Sequence, residues 1–268
     1  MRLFDPMRKM WLKRWKEEDE GMTVPVKDEE MPVPVEQEGK GGNGDLVDGR
    51  LITIKQPYSI AAEQYRVLWT RVSQLVQGKS SYVLAVTSSV KSEGKTFTSL
   101  NLAISIARDF DEKVLLIEGD LKNPCLHEYL KYPPGFGLTD VLEGRIDTDT
   151  CSIQLFEGRL SVLLAGKTAG NTSKLLSSHM MQEILNSARG NFKYIIIDTP
   201  PIIPMVDINI YYPIVDGILL VIQAGKTPRS VVKRALSSLS SSDKIIGAVL
   251  NEVESNYSKY YYGTRYSY

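Results

Sequence analysis

The chain has 268 residues, with 32 Lys+Arg against 32 Asp+Glu, 43 % hydrophobic residues and 24 % charged ones. Such values belong to an ordinary globular protein with room for a sizeable core, and the neutral balance excludes the basic excess of a simple nucleic-acid binder. Cys125 and Cys151 are too few for a disulfide framework or a cysteine-rich zinc site, and no apolar run reaches the ~18 residues of a membrane span.

Zero net charge conceals a polarised start. In residues 1–16, Phe4, Met7, Trp11 and Trp15 recur at spacings of three and four among Arg2, Arg8, Lys9, Lys13, Arg14 and Lys16. That pattern predicts a short basic amphipathic segment suited to an anionic membrane surface. Residues 17–38 then hold nine acids against Lys27 alone, with Pro25, Pro32 and Pro34, and a glycine cluster follows at 41–44. So little apolar surface cannot offset the entropy of ordering, and residues 17–50 are expected to form a disordered linker.

Residues 59–77 have the spacing of an amphipathic helix. From there, β-branched runs at 82–86, 114–117, 160–164, 194–197, 217–222 and 245–250 alternate with helical patterns at 96–107, 173–188 and 230–239. The runs are apolar on both faces, as in a parallel sheet covered by helices. The expected fold is therefore an α/β, doubly wound, mostly parallel sheet over residues 51–256, with its ligand beyond the carboxyl ends of the strands. His127 and His179 have no metal-ligand spacing around them, and Tyr211 and Tyr212 read as packing on the sheet. The last twelve residues contain six tyrosines, Tyr257, Tyr260, Tyr261, Tyr262, Tyr266 and Tyr268, separated by polar residues without apolar partners. This composition predicts a solvated tail with accessible phenols.

Three strand ends carry chemistry. After the first, Ser89, Val90, Lys91, Ser92, Glu93, Gly94, Lys95, Thr96 and Phe97 lead into a helix. The Gly-Lys-Thr core at a strand-to-helix junction fits the last part of a phosphate-binding loop, although Ser89 stands where the pattern has its first glycine. Loop N–H groups and the helix N-terminus suit phosphate, Lys95 the β/γ-phosphates, and the Thr96 hydroxyl Mg²⁺. The second strand end places Glu118 and Asp120 one residue apart, and the third ends in Asp198 before Thr199, Pro200 and Pro201. An aspartate closing an apolar strand there suits Mg²⁺ binding through water.

Together these residues resemble the bacterial tyrosine kinases of capsular and exopolysaccharide export, P-loop relatives of the ParA/MinD ATPases. The resemblance runs from about residue 59 to 268: Walker A at 88–96, Walker A′ at 114–122, Walker B at 194–201 and the tyrosine-rich tail. It implies ATP and Mg²⁺ as cofactors, Lys95, Glu118 and Asp120 as catalytic residues, and Glu118 as base for the substrate phenol. It further implies Thr96, Asp120 and Asp198 as metal residues, and nucleotide contacts from Ser89, Ser92, Glu93, Gly94, Lys95, Thr96, Phe97 and, near the base, Asn251. Residues 224–228 share the family pattern as well. Glu63 and Arg66 resemble part of the oligomerisation motif, and the tail tyrosines would be phosphorylated by a neighbour in a homo-oligomeric ring. The implied partners are a membrane-spanning activator or chain-length regulator and an opposing tyrosine phosphatase, with the protein cytoplasmic at the inner membrane face and no nucleic acid involved. Four departures from the pattern span five positions: Lys91 and Ser92 replace Pro-Gly, Glu118 replaces Asp, Lys122 replaces Arg, and Trp69 stands for the second oligomerisation arginine. They support an alternative expectation, a nucleotide-gated scaffold of the same machinery with little kinase activity. A ParA/MinD-type ATPase is the more distant alternative, since its early signature lysine falls on Val90.

Overall fold

The computed structural model describes residues 51–253 except 134, 168–171 and 205–207. The expected basic segment 1–16, the linker 17–50 and the tyrosines of 257–268 lie outside the described residues. The described elements, in chain order, are α1 (Ile52–Lys55), α2 (Ile60–Leu75), β1 (Tyr82–Ser88), α3 (Lys95–Asp109), β2 (Val114–Glu118), α4 (Leu126–Leu130), α5 (Leu138–Leu142) and α6 (Thr148–Cys151). There follow β3 (Ile153–Leu155), β4 (Leu160–Leu163), α7 (Thr172–Leu176), α8 (His179–Asn191), β5 (Tyr194–Asp198), α9 (Ile208–Tyr211), β6 (Gly217–Gln223), α10 (Arg229–Ser237) and β7 (Ile245–Asn251).

The strands form one sheet in the order β3-β4-β2-β5-β1-β6-β7, parallel except for β3 against β4. Why the strand runs lack alternation is visible in the core. In β1, Tyr82, Leu84 and Val86 enter one buried cluster while Val83 and Ala85 enter the other. β2 divides in the same way, Val114 and Leu116 against Leu115 and Ile117, and so does β5, Tyr194 and Ile196 against Ile195 and Ile197. Period-two geometry sends successive side chains to opposite faces, and here both faces are covered. Each such side chain contributes about 1.5–3 kcal/mol on burial.

On one face α3 lies between the sheet and α2, which explains its burial around nearly its whole circumference over residues 98–107. Its buried amide is satisfied: Asn101 accepts from the N–H and hydroxyl of Thr53 and donates to the carbonyl of Phe97. On the opposite face α8 buries Met181, Ile184, Leu185 and Ala188.

Two differences from the sequence pattern have clear causes. The single helix expected over 173–188 is two, α7 and α8, because Ser178 adopts an extended conformation as the N-cap of α8. The antiparallel strand β3 has only three residues, too few for any periodicity to show. Trp69, which stands where the resemblance would place a second arginine, is a core residue, packing edge-on against Tyr194 and Phe110. Arg66 is engaged within the chain, with Glu63 at 2.7 Å, Asp109 at 3.1 Å and the Pro57 carbonyl at 2.7 Å. Tyr211 is fully buried under the sheet, as its sequence suggests.

Candidate active site

The site is built where the strand order reverses. β1 lies between β5 and β6, and β5 lies between β1 and β2, so the β1–α3 loop faces the acids ending β2 and β5. Glu118 and Asp198 are in direct register. The segment after β5 is tied back along the loop, with Ile202 and Ile203 N–H groups donating to the carbonyls of Ser88 and Ser89 at 2.8 and 2.9 Å.

α3 begins at Gly94, whose φ of +86° is left-handed and whose cap has no side-chain hydrogen bond. No acid occupies the first turn. A helix N-terminus left uncapped in this way presents unpaired N–H groups and the positive end of its dipole, the elements of an anion site. A Cβ on Gly94 would stand 2.0 Å from the Asn251 side-chain nitrogen, so glycine is required sterically as well as conformationally. Ser92, where the family pattern has glycine, carries a φ of +64°. Ser89 is fully buried, and its hydroxyl has no hydrogen-bond partner among the described residues.

Lys95 reaches from the first turn of α3 to the carboxylates, with Nζ 3.0 Å from Asp120 and 3.8 Å from Asp198. Burial pulls its pKa down, but Asp198 and Asp120 outweigh burial and hold it above the ordinary lysine value. Asp198 accepts hydrogen bonds from the hydroxyls of Thr96 at 2.6 Å and Ser99 at 3.2 Å. Burial pushes its carboxyl up to about 6, a rise opposed by Lys95 and Thr96 and reinforced by Glu118 and Asp120. Lys95, Thr96, Asp120 and Asp198 thus converge, although they come from three separate strand ends.

Glu118 is placed differently from the expected phenol base. One oxygen accepts the N–H groups of Cys125 and Leu126 at 2.5 and 2.6 Å, and the other accepts that of Ala165 at 3.0 Å. The side chain is 1 % exposed and fastens the start of α4 and the end of β4 to β2. Its neighbour Gly119 allows the close passage that follows, since a Cβ there would lie 2.7 Å from the Tyr211 hydroxyl and 2.9 Å from Ile197. Glu93 is likewise 1 % exposed, and its carboxylate is bonded to protein groups instead of lying open in the loop. Asn251 does stand beside the loop, donating from its side chain to the Glu93 carbonyl at 3.0 Å.

Sequence reasoning missed two contacts. Ser99 lies one helical turn beyond Lys95, so spacing along α3 could have indicated it. Cys125 places Sγ 3.5 Å from the Thr96 hydroxyl, and its thiol is raised chiefly by burial; no local pattern signals this approach.

The residues fit a magnesium nucleotide. Among the described residues no three His, Cys, Asp or Glu side chains form a metal cage. Mg²⁺ characteristically takes few protein ligands and completes its shell with water and phosphate oxygens, which matches one hydroxyl and one carboxylate beside an uncapped helix.

No protein-family model matches the chain. It is 33 % identical over 225 residues to the tyrosine-protein kinase YwqD of Bacillus subtilis, covering 83 % of this chain and 94 % of that one. It is 30 % identical over 209 residues to the succinoglycan biosynthesis transport protein ExoP of Rhizobium meliloti, covering 76 % of this chain and 26 % of that one. The kinase domain of the Escherichia coli tyrosine kinase ETK superposes with a TM-score of 0.70 at 27 % identity, over 81 % of this chain and 84 % of that one. Cobyrinic acid a,c-diamide synthase from Mycobacterium smegmatis, solved with an ATP analogue and magnesium, has a TM-score of 0.52 at 22 % identity, over 63 % of this chain and 72 % of that one, and shares the fold alone. With this similarity extending over nearly the full length of a tyrosine kinase, the chain belongs to the bacterial protein-tyrosine kinase family.

Proposed function

We propose that the chain is an ATP- and Mg²⁺-dependent autokinase that phosphorylates Tyr257, Tyr260, Tyr261, Tyr262, Tyr266 and Tyr268 of a neighbouring copy. One observation carries the reading. Lys95, Thr96, Asp120 and Asp198 meet at an uncapped helix N-terminus, in a chain that ends in a tyrosine cluster.

Phosphoryl transfer asks mainly for positioning and charge stabilisation. The first-turn N–H groups of α3 bind phosphate oxygens, and Lys95 neutralises charge on the transferred group. Mg²⁺, when bound, supplies further neutralisation across the phosphates, and Thr96 and Asp198 are the residues that would hold it. The phenol oxygen forms its bond to the γ-phosphorus as the bond to the leaving ADP oxygen breaks. The phenol proton goes to a carboxylate, and we assign that role to Asp120, expected among the metal residues, in place of Glu118. Both Glu118 oxygens are occupied by backbone N–H donors, whereas a Lys95 drawn to phosphate releases the Asp120 oxygen it now holds.

Polysaccharide synthesis and export is the proposed setting, supported by the likeness to ExoP. In that setting the chain works as a homo-oligomeric ring through the Glu63 and Arg66 helix at the cytoplasmic membrane face. A membrane-spanning activator switches it on, a tyrosine phosphatase opposes it, and residues 1–16 contact the lipid surface. No described helix is long and apolar enough to cross a membrane. Each phosphorylation adds about 1.5–2 negative charges, and like-charge repulsion then disperses the ring.

The test is incubation of the full chain with Mg·ATP, followed by phosphotyrosine detection on wild type and Lys95→Met. Phosphotyrosine in wild type alone supports the kinase. ATP binding and ring assembly without phosphotyrosine would instead assign a nucleotide-gated scaffold, a reading favoured by the left-handed Ser92 in the phosphate loop.

A further inference from the structure

Glu93 lies inside the phosphate loop, yet its side chain serves the loop's neighbours. One carboxylate oxygen accepts the Val90 N–H at 2.8 Å, across the tip of the loop that contains the strained Ser92. The other accepts the Thr227 hydroxyl and, at 3.4 Å, the Gln223 N–H, both beyond the opposite edge of β1 at the β6–α10 connection. Its carbonyl meanwhile accepts from the Asn251 side chain at 3.0 Å, and the Asn251 carbonyl accepts the Ala224 N–H at 2.8 Å. Gln223 also donates to Glu252. These bonds close a bracket running from the phosphate loop through residues 223–227 to 251–252. In sequence, residues 251–252 precede Tyr257, the first tyrosine of the terminal cluster, by only five or six positions.

We propose that Glu93 is a positioning residue that fixes the phosphate loop to the β6–α10 connection and to the end of β7. Loop shape and the root of the C-terminal segment then move as one. Glu93 does not itself touch phosphate in this role; it acts through Val90, Thr227 and Asn251. The consequence is a mechanical link between nucleotide occupancy and the base of the segment that carries the phosphoacceptors. This inference rests on the nucleotide-site reading above.

The experiment is calorimetric titration of the full chain with Mg·ADP, paired with amide hydrogen exchange over residues 88–97, 221–229 and 245–253. In wild type, Mg·ADP slows exchange in all three regions. Glu93→Ala leaves the partly buried Val90 N–H and Thr227 hydroxyl without their acceptor, so it binds Mg·ADP about tenfold more weakly. At saturation Glu93→Ala protects 88–97 but no longer 221–229 and 245–253. Glu93→Gln keeps an acceptor for Val90 and a polar partner for Thr227 and gives up only the long 3.4 Å contact from the Gln223 N–H, so affinity and all three responses remain close to wild type. Thr227→Val, a smaller change outside the loop, loses part of the 245–253 response in the same direction, which keeps the test valid if Glu93→Ala fails to fold. Wild-type affinity with an intact 245–253 response in Glu93→Ala, or in Thr227→Val, overturns the inference, as does a Glu93→Gln no better than Glu93→Ala. Failure of the wild type to bind Mg·ADP overturns the nucleotide-site reading itself, an outcome separate from the others.

Discussion

Replacing Glu118 by Gln separates the two roles open to this residue. As a phenol base it would matter for phosphoryl transfer and little for folding. As placed, its carboxylate accepts three backbone N–H groups while 1 % exposed. A glutamine can keep its oxygen toward Cys125 and Leu126, but then its NH₂ faces the Ala165 N–H across the present 3.0 Å contact. A buried N–H left facing another donor costs about 1–3 kcal/mol, and the two retained bonds weaken when their acceptor becomes neutral. A total near 2–3 kcal/mol corresponds, in a domain of roughly 200 residues, to a fall in Tm of about 4–12 °C. Thermal unfolding by circular dichroism measures the fall, and phosphotyrosine formation below the transition measures activity. The expected result is a clear drop in Tm with autophosphorylation retained. An unchanged Tm with autophosphorylation abolished would refute the anchoring argument and restore Glu118 as the base.

The phosphate loop offers further tests. Gly94→Ala adds left-handed strain of about 1–2 kcal/mol and a clash with Asn251. In an Asn251→Ala background only the strain remains, so urea denaturation should show a coupling of about 1–3 kcal/mol; additive costs would contradict the packing. Ser92→Gly removes a left-handed non-glycine residue and should stabilise by about 0.5–1 kcal/mol while tightening Mg·ATP binding; a weaker binder would contradict the role of backbone approach. Burial pushes the Asp198 carboxyl up to about 6, above the ordinary carboxylate range. The stability it contributes is present below about 4 and lost as pH rises through 6. Between pH 4 and 7.5, in EDTA, wild type should therefore lose about 2–3 kcal/mol relative to Asp198→Asn, and parallel profiles would contradict the burial of this charge.

The fold was legible wherever burial is two-sided. Residues 114–117 and 194–197 are unbroken apolar runs because helices cover both faces of their strands, and the strand expectations fall within two residues of the structure. Legibility ended with elements too short to carry a period: β3, α4, α5, α6 and α9 each have three to five residues. At the site, Lys95, Thr96 and Asp198 could be read because their chemistry is local to a strand end. The engagements of Glu93 with Thr227, of Glu118 with Ala165 and of Cys125 with Thr96 join segments 29 to 134 residues apart, and nothing in the spacing announces them. The same holds for Trp69. Its motif position suggests a surface arginine, and only the packing of Tyr194 and Phe110 against it shows why an indole stands there.

The central claim is that the site around Lys95 transfers phosphate to the tyrosine segment of a neighbouring copy. Its most direct test mixes a chain ending at residue 253, active site intact and tyrosines absent, with full-length Lys95→Met, whose tyrosines are present but whose site is disabled. After incubation with Mg·ATP, site-resolved mass spectrometry of residues 257–268 should find phosphotyrosine on the Lys95→Met chain in the mixture and none on either chain alone. Unmodified tyrosines in the mixture, with wild-type protein phosphorylated under the same conditions, would contradict transfer between copies; unmodified tyrosines in both would contradict the kinase.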